Sequence, residues 1–134
     1  MDSSLTIRNK PLTNANGHPT FLLLEKNPII AADMIDTLET CCRCYVIHAT
    51  SPGEVLEKLS QTPTLAVAFL EMSFPDLDGT ELHVALKHSG ARIVLTQGET
   101  HEAEVQQRGW HMLVRPFSDE MVRSVLEEMQ IPLM

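Results

Sequence analysis

Residues 65–79 read LAVAFLEMSFPDLDG, and this stretch decides the fold. Leu65 to Leu70 form an unbroken apolar run with no polar alternation. A short run of that kind reads as a strand covered on both faces, the pattern of a parallel sheet between layers of helices. An acid, Glu71, stands where the strand ends. Pro75 follows, and Asp78-Gly79 closes a turn. An acid at the carboxyl end of a buried central strand sits where an open α/β sheet places its site.

Working outward, the same alternation of apolar runs and helical patterns recurs. FLLL (21–24) reads as a buried strand, and Pro28 suits the first turn of the helix that follows. Ala31, Met34, Ile35, Leu38 and Cys42 recur there at helical spacing. CYVIHA (44–49) is a second strand. Ser51-Pro52-Gly53-Glu54 is a helix start with a capping residue, a first-turn proline and a capping-box acid.

Beyond the central strand, a helix is expected from about Thr80 to His88, stopped by Gly90. ARIVL (91–95) is the fourth strand. A short polar helix follows, from about Thr100 to Gln107, ended by Gly109. HMLV (111–114) is the fifth strand. Ser118 caps the last helix, with Asp119 and Glu120 in its first turn. Five βα units in a row predict an α/β fold, a doubly wound five-stranded parallel sheet of the flavodoxin-like (βα)5 type. The expected organisation is a leader over residues 1–19, without periodicity and flexible, then one domain over 20–132.

Four motifs, one per strand, carry a family resemblance. LLLEKNP (22–28) ends a strand in an acid before Asn-Pro. LEMSFPDLDG (70–79) opens the central loop. VLTQG (94–98) ends a strand in Thr, and LVRPF (113–117) ends one in a base before Pro-Phe. In this order they resemble the response-regulator receiver domain of two-component signalling. The resemblance implies a pocket of two acids after strand one, an acceptor Asp after strand three, a switch Thr or Ser after strand four and a Lys after strand five. The acids would hold Mg²⁺ and the Lys would contact the phosphoryl group.

This sequence departs from that pattern. Glu25 keeps the first acid, but Lys26 replaces the second. Glu71 stands at the phospho-acceptor position, and Arg115, before Pro116, stands where the Lys would be. Thr96 keeps the switch residue. Met112 holds the aromatic switch position, with Trp110 close enough to substitute for it. Glu25, Glu71, Lys26 and Arg115 sum to zero charge without a metal. Lys26 is expected to put a cation where the metal would go, so Mg²⁺ binding should be weak or lost and no other cofactor is implied. Glu71 is longer than Asp by one methylene, roughly 1.5 Å of bond length. A misplacement of that order costs about 10²-fold in rate.

The expected function is therefore a phosphorylation-independent, atypical receiver that acts through protein contacts, not an enzyme. Its partner would be another signalling protein, such as a histidine kinase or regulator. A homodimer through the fourth helix, fifth strand and last helix would suit Trp110, His111 and Met112. The alternative is a regulated receiver accepting a phosphoryl group at Glu71, Asp76 or Asp78. Asp76 and Asp78 lie beyond Pro75, so they are expected to aim away from the pocket.

Composition narrows the classes further. A net charge of −8 and a pI near 5.1 disfavour nucleic acid as a direct partner. No apolar run approaches the ~20 residues of a membrane span, and MDSSLTIRNK lacks a signal-peptide stretch. A cytoplasmic location follows as the expectation. Cys41, Cys42 and Cys44 are odd in number and clustered, which argues against a disulfide framework. One or two of them are expected to face the core at the end of a helix, with redox sensing a distant third function. His83, His88 and His101 fall on predicted polar helix faces and are expected to be solvated.

Overall fold

The computed structural model describes residues 17–134. Five parallel strands form one sheet in the order β2-β1-β3-β4-β5. They are β1 (Thr20–Leu24), β2 (Tyr45–Ala49), β3 (Val67–Leu70), β4 (Arg92–Leu95) and β5 (His111–Met112). Helices α1 (Pro28–Cys41), α2 (Pro52–Gln61), α3 (Glu81–Ser89), α4 (Glu102–Gln107) and α5 (Asp119–Glu128) connect and follow them. The doubly wound architecture read from the apolar runs is the one observed.

The runs are continuous because both sheet faces are buried. Phe21, Leu23, Val67, Phe69 and Val94 pack with Met34 and Leu38 of α1 and Val122 and Leu126 of α5. Their neighbours Leu22, Leu24, Ala68, Leu70, Ile93 and Leu95 pack with Val55 of α2, Leu82 and Leu86 of α3 and Val105 of α4 on the other face. Odd and even strand positions thus serve opposite layers, as a period of two requires.

Local chemistry fixes the helix ends. Asn27 Oδ1 accepts from the N–H groups of Ile29 (2.9 Å) and Ile30 (3.3 Å), and Pro28 needs no partner there. Ser51 Oγ caps α2 and Ser118 Oγ caps α5, as read. Gly90, left-handed at φ 83°, ends α3.

Several boundaries differ from expectation. Residues 1–16 of the expected leader lie outside the described residues. Pro19 already joins the sheet, its carbonyl accepting from Tyr45 N at 2.9 Å. The domain also runs past residue 132: Ile131 and Leu133 pack on the core, and Met134 N donates to Cys41 O at 2.9 Å. The fifth strand is two residues rather than four, pairing His111 with Val94 and Met112 with Leu95. The fourth helix is six residues, preceded by a 3₁₀ turn over Glu99–His101, in keeping with the short interval from Thr96 to Arg115.

A one-turn helix, Phe74–Leu77, was missed. Its signal was present: Ser73 before it, a first-turn proline and Asp76 in the first turn. Cys41 and Cys42 are buried in the core, as expected, and Cys44 packs against it. Burial pushes the Cys41 thiol up. A hydrogen bond to Cys42, helped by burial, holds Cys44 far above the ordinary thiol range.

Candidate functional site

Backbone bonds line up the residues that leave the sheet. Glu71 N donates to Leu24 O (2.9 Å), Thr96 N to Leu70 O (2.9 Å) and Leu113 N to Leu95 O (3.0 Å). Glu25, Glu71 and Thr96 therefore stand side by side at the carboxyl ends of β1, β3 and β4. The strand order reverses between β1 and β3, which opens a crevice at that end. Glu25 and Thr96 are almost fully buried, at 3% and 4% exposure.

A single side chain joins the three. Arg115 Nη2 donates to Glu25 Oε1, lies 3.5 Å from Thr96 Oγ1 and approaches Glu71 Oε2 at 4.0 Å. The other Glu25 oxygen, Oε2, accepts from Asn27 N at 3.0 Å. A buried carboxylate needs such partners, because an ionised group out of water is costly unless paired and hydrogen-bonded. Arg115 Nε is buried and has no hydrogen-bond partner among the described residues. The Arg115-Pro116 peptide is cis.

Glu71 is more open. Its Oε1 accepts from Lys26 N at 3.4 Å and its Oε2 from Gln97 Nε2 at 3.3 Å. It faces a cleft of about 450 Å³ that Lys26, Met72, Asp76 and Gln97 also line. Gln97 was not singled out from the sequence. Its place next to Thr96, at the end of β4, was the signal available.

The expected role of Lys26 needs correcting. Lys26 is exposed, and its ammonium makes no ion pair among the described residues. It touches Glu71 through its backbone N–H. The cation inside the pocket is Arg115, whose Nη2 reaches toward Glu25, Thr96 and Glu71. Taken without Lys26, the group of Glu25, Glu71 and Arg115 sums to one net negative charge. Asp76 also departs from expectation, since it borders the Glu71 cleft. Asp78 does aim away: Arg108 grips it with Nε–Oδ1 at 3.0 Å and Nη2–Oδ2 at 2.9 Å.

The two switch candidates after α4 both turn inward. Trp110 packs on Phe74 with ring centroids 5.5 Å apart and meets the edge of His83 at 5.1 Å. Met112 lies over Gly98, where a Cβ would come within 3.2 Å of its sulfur. His111 pairs with Glu128 at 3.2 Å. The solvated reading holds for His88, which is exposed, but not for His83 and His101, which join the aromatic cluster. Ring packing over Phe74 and Trp110 overrides the polar character of those helix faces.

Among the described residues, no group of three His, Cys, Asp or Glu side chains is arranged to hold a metal ion. No helix among them is long and apolar enough to cross a membrane.

No protein-family model matches the sequence, and no curated protein is significantly similar to it. Solved structures do match in shape. A response regulator receiver protein from Burkholderia phymatum superposes with a TM-score of 0.68 at 19% identity, over 86% of this chain and 98% of its own. A putative response regulator from Chloroflexus aurantiacus gives 0.65 at 17% identity, over 84% and 98%. An uncharacterised protein from Neptuniibacter caesariensis gives 0.65 at 24% identity, over 84% and 88%. Identities this low speak to architecture alone, so what these matches and the sheet order establish together is that the chain has the five-stranded α/β fold of response-regulator receiver domains.

Proposed function

We propose that this chain is an atypical receiver: a signalling module that works by protein contacts and that phosphorylation does not switch. The observation that carries the reading is Arg115, whose guanidinium bridges Glu25 and Thr96 and faces Glu71. A hard dication would need these carboxylate oxygens for itself, in near-octahedral geometry at about 2.0–2.1 Å. Glu25 instead has one oxygen on Arg115 and the other on Asn27 N. The donor set as arranged does not fit Mg²⁺.

Two further points support the reading. Thr96 is already held, its Oγ1 within 3.5 Å of Arg115 and 3.4 Å of Leu70 O, so little remains for a phosphoryl group to pull on. Glu71 places a carboxylate beyond the reach of Asp, where it accepts from Gln97 and the Lys26 N–H. A carboxylate carries −1 against about −1.5 to −2 for a phosphoryl group, so the imitation is partial but permanent. The partner would be a signalling protein, a kinase or regulator or a second copy. Val114 and Met121 leave apolar surface exposed near β5 and on α5 for such a contact.

A second reading has one observation behind it. Asp76 lines the same cleft as Glu71, so a phosphoryl group entering there would meet two acids. The test is an amide NMR titration with Mg²⁺ and then with beryllofluoride, beside labelling by a small-molecule phosphodonor. The proposal expects still peaks at Glu25, Glu71 and Thr96 at millimolar metal, and no label. Saturating shifts, or label recovered on Glu71 or Asp76, would overturn it. The triple change K26D/E71D/R115K is the positive control and should gain Mg²⁺-dependent shifts.

A further inference from the structure

Beside the pocket, four rings and an ion pair meet between the turn after β3, the start of α3 and the end of α4. Phe74 and Trp110 stack at 5.5 Å with a 44° tilt. His101 stacks on Phe74 at 6.2 Å, and His83 meets Trp110 edge-on at 5.1 Å and 88°. The Arg108 guanidinium lies 5.7 Å from the Phe74 ring centre while forking onto Asp78. The cluster fastens Phe74, on the loop that opens with Glu71, to α4 and to the segment before β5.

The two imidazoles differ in what they tolerate. His83 Nδ1 accepts the Gly79 N–H at 3.0 Å, which requires a neutral ring with its proton on Nε2. A proton added at Nδ1 would set two donors against each other. Asp78 Oδ1 lies 3.9 Å away and is already held by Arg108. The groups facing the ring are Asp78 and the Gly79 N–H from its own turn, Arg108 from the end of α4 through Asp78, and uncharged Trp110. His101 Nδ1 lies 3.0 Å from Thr100 Oγ1, and a hydroxyl can donate to a neutral ring or accept from a charged one. His101 can take a proton in place; His83 cannot.

We propose that His83 is the proton sensor of an aromatic latch. One proton binds at Nδ1, and the Gly79 N–H is released to water. The imidazolium competes with Arg108 for Asp78. As that fork loosens, Arg108 leaves the Phe74 ring and Phe74 is no longer clamped on Trp110. The loop between Glu71 and α3 is then free to shift. The latch is independent of how the Glu71 pocket is read, because it uses none of the pocket's charged groups.

The chain has a single Trp, so Trp110 emission reads the latch directly. The full chain would be titrated from about pH 8 to about pH 5, the span in which imidazoles charge, with amide spectra of Gly79 in parallel. The expected result is one sigmoidal change in emission and a Gly79 shift with the same midpoint. Both should vanish in H83Q, whose amide oxygen can still accept from Gly79, and both should persist in H101Q. No transition in the unmodified chain, or one unchanged in H83Q, would overturn the proposal. If circular dichroism shows H83Q unfolded, the ring nitrogen shifts of His83 in the unmodified chain decide. Protonation of Nδ1 in step with Gly79 supports the latch, and a still Gly79 amide overturns it.

Discussion

Arg115 with Glu25 and Arg108 with Asp78 are both arginine–carboxylate pairs, and they behave as different objects. Arg115 meets Glu25, whose side chain is 4% exposed; Arg108 meets Asp78, whose side chain is 26% exposed while its own is 49%. The outer pair is a two-point fork with good distances. The inner pair shares Nη2 among Glu25, Thr96 and the more distant Glu71. By geometry alone the outer pair is the better-made salt bridge. Burial reverses the ranking, because a charge out of water cannot afford to lose its partner whereas an exposed one falls back on solvent. Arg115 is therefore needed by what surrounds it, and Arg108 is a fastening.

The same substitution at both arginines breaks or sharpens that contrast. R115M should cost about 3 kcal/mol by urea denaturation, since it strands Glu25 among buried neighbours. R108M should cost much less, and equal losses would sink the comparison. Adding E25Q to R115M should recover part of the loss, because the stranded charge goes with it. The next effect belongs to the aromatic cluster that Arg108 covers. F74A removes a half-buried ring packed on Trp110 and His101 and should cost about 2 kcal/mol, with a change in Trp110 emission. An unchanged emission spectrum would mean that the rings do not pack as described.

Between the two regions, Met112 closes over Gly98. In G98A the new Cβ would meet Met112 Sδ at 3.2 Å and Leu95 Cβ at 3.3 Å. Methionine can yield, so the cost should be about 1 kcal/mol, relieved by M112A in a double-mutant cycle. The smallest effect is D78N. Arg108's fork holds the Asp78 carboxyl below the ordinary carboxylate range. A depressed folded value gives stability that is present above the unfolded carboxylate pKa of about 3.9 and lost as pH falls through the folded one. The Tm difference between D78N and the unmodified chain should thus be present at pH 7 and be lost in acid, below about pH 4. It should also weaken with added salt, as an exposed pair does.

Much of this was legible in advance. The strands announced themselves because both faces of a parallel sheet are buried, and Leu65 to Leu70 left no other economical reading. Caps at Asn27, Ser51 and Ser118 and the stop at Gly90 act through bonds only a few residues long, so local order sufficed. The strand-end residues Glu25, Glu71 and Thr96 were found for the same reason: topology delivers whatever follows a strand to one edge. Even the missed helix at Phe74–Leu77 had its signal in Ser73 and Pro75.

What the sequence left open was which cation enters the pocket and which rings stay in water. Lys26 adjoins Glu25 in the chain, yet it is exposed, while Arg115, 90 residues on, reaches Glu25. His83 and His101 sit on helices that look polar, yet they close over Phe74 and Trp110. Both outcomes depend on where long side chains from distant segments meet. Periodicity and capping are short-range signals and carry no such information. Partnering of a buried charge and stacking of half-buried rings are settled by the packed fold, where the cost of an unsatisfied group selects among side chains that the sequence offers equally.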